Sequence, residues 1–359
     1  MDTSGFALQP REGRRWALRR GSSLLRDIVA AISLVLILGG ALGGCASARS
    51  YEPIPVVRDW YRIPSDFRIV GYFPSWSGDP DQVQYRALTH INYAFVNPTA
   101  EGGYRPVAEP KKLELLVTYA HAFGVKVLAS LGGWNDGKTD AFATIAADPG
   151  LTATFVDSTI ALVDSYNLDG IDVDWEFPAA DAADDFARFV HALAERLHSS
   201  GRLLTVAVSA NGFHGCNYPD SVIADADFLN IMAYDDGYGQ TGVNHSSYEF
   251  AASAMDYWLI ARNVPAAKAV LGVPFYGRSL ENRHARTFKS IYSKDRDAPG
   301  KDVSAEYGYN GFATIRAKTL GLARSRGGGI MIWQIAQDAQ GENSLLNAIF
   351  DAVKEPWKQ

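Results

Sequence analysis

Three acids recur at every second position of a short apolar stretch, Ile171-Asp172-Val173-Asp174-Trp175-Glu176. In an extended strand, alternate side chains share a face. Asp172, Asp174 and Glu176 then line one side, each about 6–7 Å from the next. Ile171, Val173 and Trp175 line the other. Taking carboxylates out of water costs several kcal/mol per ion, so packing alone does not favour such a row inside a fold. Its uses are proton transfer, charge stabilisation or a hard cation. Magnesium and calcium want six or more oxygens, and one strand offers three acids, so no metal is expected. Glu176 comes last, nearest the C-terminal end of the strand.

The rest of the composition narrows the chemistry. The 359 residues carry a formal net charge of -6 and no basic footprint for nucleic acid. The seven histidines show no ligand spacing. Two cysteines, Cys45 and Cys216, exclude a disulfide framework. Cys216 reads as an inert thiol, since no basic or metal context surrounds it in sequence. No cofactor is expected.

The acidic strand is the fourth of eight apolar runs, Arg68–Trp76, Thr89–Asn97, Lys126–Leu131, Gly170–Glu176, Leu203–Ser209, Phe228–Tyr234, Ala269–Tyr276 and Gly329–Gln334. They are almost continuously hydrophobic, as strands covered on both faces should be. Helical periodicity falls between them. Phe186, Phe189, Val190, Leu193 and Leu197 form a stripe within Asp181–Ser199, and Lys111–Phe123 and Leu345–Val353 behave likewise. Eight strand–helix units predict an α/β chain folded as a (β/α)8 TIM barrel. The polar stretch Ser279–Asn310 reads as a modest excursion after the seventh strand. A doubly wound open sheet is the alternative, weakened by the lack of G-x-G-x-x-G after the first strand.

The N-terminus reads as an address. Arg11, Arg14, Arg15, Arg19, Arg20 and Arg26 precede an uncharged run from Ile28 to Ala48, which contains Leu42-Gly43-Gly44-Cys45. This resembles a bacterial lipoprotein signal, with Cys45 as the lipid-bearing residue; an uncleaved apolar anchor is the alternative. The expected organisation is a signal peptide over 1–44, a linker over 45–66 and a catalytic barrel over 67–356. The product is an exported, lipid-anchored protein of the bacterial cell envelope, touching the membrane through an N-terminal lipid. Its oligomeric state is left open.

Asp169-x-x-Asp172-x-Asp174-x-Glu176 resembles the signature of glycoside hydrolase family 18, the family of many chitinases. Ser130-Leu131-Gly132-Gly133, Asn230-Ile231-Met232-Ala233-Tyr234-Asp235 and Trp333 resemble three further motifs of that family, in the right order. The resemblance spans about 68–355. It implies hydrolysis, with retention, of β-1,4-linked N-acetylglucosamine polymers such as chitin, in which the sugar's own acetamide replaces a second carboxylate. It implies Glu176 as acid and then base, Asp174 as acceptor of the acetamide N–H, Asp172 as a deeper acid able to share a proton or hydrogen bond with Asp174, and Tyr234 as donor to the acetamide oxygen. Trp333 becomes the floor of the cleavage site. Tyr72, Phe95, Trp134, Met232, Asp235 and Arg278 are candidate substrate contacts, Trp76 a weaker one, and Asp169 a structural residue. Alternatives are an endo-β-N-acetylglucosaminidase acting on N-glycans or peptidoglycan, and a non-catalytic sugar-binding lipoprotein. The last is disfavoured by the presence of Glu176, Asp174 and Tyr234 together.

Overall fold

The computed structural model describes residues 63–134, 140–237 and 240–355. The expected signal peptide, Cys45 and most of the linker lie outside the described residues. Eight parallel strands close into a barrel: β1 (Arg68–Pro74), β2 (His90–Val96), β3 (Lys126–Gly132), β4 (Gly170–Asp174), β5 (Leu203–Ser209), β6 (Phe228–Met232), β7 (Ala269–Pro274) and, after the excursion, β12 (Gly329–Trp333). β1 pairs with both β2 and β12, so the sheet has no free edge. The predicted (β/α)8 TIM barrel is the fold observed.

Each strand is shielded outside by helices whose apolar stripes pack inward. Phe186, Phe189, Val190, Leu193 and Leu197 of the helix Ala183–Ser199 are all fully buried. Burying each such side chain contributes about 1.5–3 kcal/mol. That helix starts two residues later than its periodicity suggests, because Ala180–Ala182 forms a separate 3-10 turn. A second, smaller cluster fills the lumen with Val70, Tyr72, Ala94, Phe228, Val270 and Met331.

At the mouth the ladders end earlier than the apolar runs do. β4 makes its last pairing at Asp174, opposite Gly132. Trp175 and Glu176 extend beyond it, as Tyr234 extends beyond β6. The run Ala269–Tyr276 is two strands rather than one. β7 stops at Pro274, which has no N–H to continue a ladder, and Tyr276 opens a different sheet. That sheet is the excursion: β8 (Tyr276–Ser279), β9 (Ala285–Thr287), β10 (Val303–Ser304) and β11 (Tyr307–Gly308) in the order β10-β11-β8-β9, with the helix Phe288–Lys294 inserted.

Candidate active site

The alternation read in the acidic strand holds in three dimensions. Trp175 is buried on the outer side, face to face with Phe142 at 5.4 Å and edge-on to Phe186 at 5.2 Å. Asp172 and Asp174 are buried on the opposite side. Asp172 is fully enclosed and receives four donors from four different strands. Tyr72 Oη (2.7 Å) and Ser130 Oγ (2.8 Å) donate to its Oδ2, and Thr205 Oγ1 (2.6 Å) and Asn230 Nδ2 (3.0 Å) to its Oδ1. Burial raises its pKa and these donors pull it back, leaving it raised.

Every donor to Asp172 among the described residues is a neutral group. Asp174 Oδ1 is buried and accepts from no donor among the described residues. An unpartnered buried carboxylate oxygen is costly, and here it is an acceptor left open at the mouth. Burial first, then the charges of Glu176 and Asp172, drive the Asp174 pKa well up. Glu176 is pushed up to about 7 by burial and by Asp235, against a hydrogen bond from the Trp134 backbone. These acids titrate as a set, and the group holds protons at neutral pH.

Two glycines explain how β3 meets β4. Gly133 N donates to Asp174 O at 2.8 Å. A Cβ on Gly132 would stand 2.6 Å from that same oxygen, and one on Gly133 would stand 2.3 Å from the Phe95 ring. Both have positive φ, 99° and 79°, which glycine adopts without penalty.

Beyond β6, burial, Tyr276 and the nearby carboxylates keep the Tyr234 hydroxyl protonated. Among the described residues it bonds only to Met331 Sδ, at 3.9 Å. Asp235 and Arg278 form a two-pronged ion pair, with Nε and Nη2 each 2.7 Å from a carboxylate oxygen. Arg278 and His245 hold Asp235 well below the usual carboxylate range against its burial. Arg278 was a candidate for external contact; its guanidinium is spent largely on Asp235.

Aromatic rings pave the mouth on two sides. Trp333 stacks on Phe95 at 5.5 Å, and Trp76 follows at 6.0 Å from Phe95. Trp76 and Trp134 are 62% and 61% exposed. Tyr72 does not reach this surface: it is buried, edge-on to Trp333 at 5.5 Å, with its hydroxyl given to Asp172. Met232 is partly buried and packs on the lumen cluster. Across the mouth, Phe177 stacks on His214 at 4.4 Å, and His214 meets Phe213 edge-on at 4.6 Å. Phe213 is 81% exposed. Asp169 lies at the far end, bonded to His121 and Val127 N, each at 2.8 Å, as a structural residue would be.

Several participants escaped the sequence reading. Thr205 and Asn230 are polar residues inside apolar strand runs, at lumen parity with Asp172, and that misfit was a usable signal. His245, Tyr276 and the pair Phe213–His214 carried none: His245 sits in a loop, Tyr276 opens β8, and Phe213 and His214 sit in a four-residue helix, Gly212–Gly215.

The description Glycosyl hydrolases family 18 matches residues 68–338. An endochitinase of Brugia malayi is 28% identical over 75% of this chain and 68% of its own length. The crystal structure of a family 18 chitinase from the chitin utilization locus of Flavobacterium johnsoniae superposes with a TM-score of 0.71. It is 31% identical, over 80% of this chain and 94% of that one. A variant family 18 chitinase of Cycas revoluta, solved in complex with (GlcNAc)4, gives a TM-score of 0.70 and 26% identity over 79% and 99% of the two chains. The chain spans 17% of the length of one curated relative and 59% of another.

Proposed function

The chain belongs to the glycosyl hydrolases of family 18, and from that premise we propose that it hydrolyses β-1,4-linked N-acetylglucosamine polymers with retention, using the substrate's acetamide as nucleophile. The observation that carries this reading is the open pair of polar groups at the mouth. Asp174 Oδ1 is a buried acceptor without a donor, and the Tyr234 hydroxyl has no oxygen or nitrogen partner among the described residues. A secondary amide supplies the complement of both, an N–H for Asp174 and a carbonyl oxygen for Tyr234. The chitinase relatives and the (GlcNAc)4 complex support an acetamido sugar as the source of that amide.

The steps follow from the protonation states. Glu176, holding a proton near neutrality, delivers it to the glycosidic oxygen as the C1–O bond breaks. The acetamide oxygen, aligned by Tyr234, forms the new bond to C1 from the opposite face. Positive charge spreads over the resulting oxazolinium ring, and Asp174 stabilises it through the ring N–H. Asp172, held by four donors, fixes the field behind Asp174. Glu176, now ionised, takes a proton from water as that water attacks C1 and the bond from C1 to the acetamide oxygen breaks. Two inversions give net retention. Trp333, backed by Phe95 and Tyr72, provides the flat apolar face under the reacting ring.

The N-terminal segment completes the reading. Residues 1–44 act as an export signal, Cys45 takes the lipid, and the barrel over 67–356 works at the cell envelope.

Glu176→Gln is expected to lose at least about 100-fold in kcat while still binding an N-acetylglucosamine tetramer. A thiazoline analogue of the oxazolinium is expected to inhibit the native enzyme more tightly than the plain oligomer. Products from chito-oligomers, peptidoglycan and N-glycans, compared side by side, identify the substrate. Native-like turnover in Glu176→Gln removes that residue from its role, and equal inhibition by the two compounds rejects acetamide participation.

A further inference from the structure

A buried lysine lies outside the barrel lumen with no assigned task. Lys318 ends the helix Phe312–Lys318, is fully buried, and forms no ion pair among the described residues. Burial drives its pKa down to about 7, against the fields of Asp302 and Glu249. Such a group is costly unless every donor is used.

All three of its N–H directions are taken. Lys318 Nζ donates to Ser246 O (2.8 Å), Ser246 Oγ (2.8 Å) and Asn310 Oδ1 (2.7 Å). Asn310 Nδ2 donates to the same Ser246 O at 2.7 Å, closing the ring of bonds. Ser246 Oγ accepts from the lysine and sends its own proton to Ala233 O at 2.7 Å. Ala233 is the residue before Tyr234.

The neighbouring residues of this strap reach the same loop. His245 O accepts from Asp236 N at 2.9 Å. His245 Nδ1 stands 3.3 Å from both Asp235 N and Asp235 Oδ1, and its other ring nitrogen meets Tyr276 O at 3.2 Å. Asn244 Nδ2 ties the strap to Tyr309 O at 3.0 Å. The segment 244–246 thus lies along residues 233–236 and bonds them at three points. Asp235 needs such a hold, because its φ of 61° is one that non-glycine residues seldom adopt.

We propose that Lys318 is a positioning residue for the reaction, holding Tyr234 and Asp235 in place through the strap at residues 244–246. The proposal rests on the reading of Tyr234 as the acetamide-orienting group. Without the lysine, Ser246 keeps its bond to Ala233 O but loses the support behind it. The tyrosine hydroxyl then samples positions off the line of attack, where a displacement of about 1 Å is already costly.

A double-mutant cycle in the full chain separates this role from a merely structural one. Lys318→Met is expected to lower kcat about tenfold while leaving KM for an N-acetylglucosamine tetramer within about twofold. In a Tyr234→Phe background the same change is expected to lower kcat by less than about twofold, because its route of action is gone. Ser246→Ala keeps two of the three lysine acceptors but removes the bond to Ala233 O itself, and is expected to show the same pattern. It decides the matter if Lys318→Met does not fold. Unchanged kcat in the folded variants, or losses that multiply in full with Tyr234→Phe, overturns the proposal. Native kcat in Tyr234→Phe alone overturns the role of the tyrosine itself, which is a separate failure.

Discussion

Asp172, Asp174 and Glu176 share a strand face yet have three different surroundings. Asp172 is saturated with donors, Asp174 keeps an open acceptor, and Glu176 feels Asp235 across the mouth. The raised Glu176 pKa has a testable thermodynamic consequence. Between 4.5, its ordinary value, and about 7, the folded state binds more protons at this residue than the unfolded state. Stability therefore falls as pH rises through that window, and the loss is complete above it. Glu176→Gln removes the penalty. At pH 8 the variant is expected to be more stable than the native protein by about 3 kcal/mol, with the difference vanishing near pH 4. Urea denaturation at the two pH values measures it, and equal stability at pH 8 is the contrary result. In the native enzyme the same titration removes the acid, so kcat/KM is expected to decline above about pH 7.

At the level of elements, the seam between β3 and β4 is where catalytic geometry meets backbone constraint. Gly133 cannot carry a side chain without moving Phe95, and Phe95 in turn supports Trp333. Gly133→Ala is expected to cost about 2–4 kcal/mol, from left-handed strain and from overpacking. It should also raise KM as the Trp333 face tilts. Thermal melts and steady-state kinetics check both, and an unperturbed Tm with native KM rejects the coupling. The strands and the flanking helices were legible because each has a hydrophobic period, and the excursion because it is polar and lacks one. Their ends were not. The apolar runs to Trp76, Glu176 and Tyr234 continue past the last ladder bond, since a residue beyond the ladder can still face an apolar mouth.

For the whole molecule, barrel closure sets two aromatic surfaces on opposite sides of the acids. Trp333, Phe95 and Trp76 come from β12, β2 and β1, whereas Phe177, His214 and Phe213 follow β4 and β5. The proposed tether is independent of that geometry. Cys45→Ser is expected to abolish lipid labelling and shift the protein from the membrane to the soluble fraction, with kcat on oligomers unchanged. Labelling that survives the substitution refutes the assignment of Cys45.

The amino-acid order alone determined the eight-unit barrel and the inward face of the acidic strand, because both follow from short-range periodicity that the backbone must obey. It also located the four motifs that carry the family resemblance. Only the tertiary structure decided that Asp172 bonds Tyr72, Ser130, Thr205 and Asn230, and that Arg278 is committed to Asp235. It alone placed Lys318 behind the tyrosine loop, 84 positions from Tyr234 in the chain. Hydrogen-bond partners across a closed sheet come from segments remote in sequence, and no local pattern encodes which of several polar groups will arrive first.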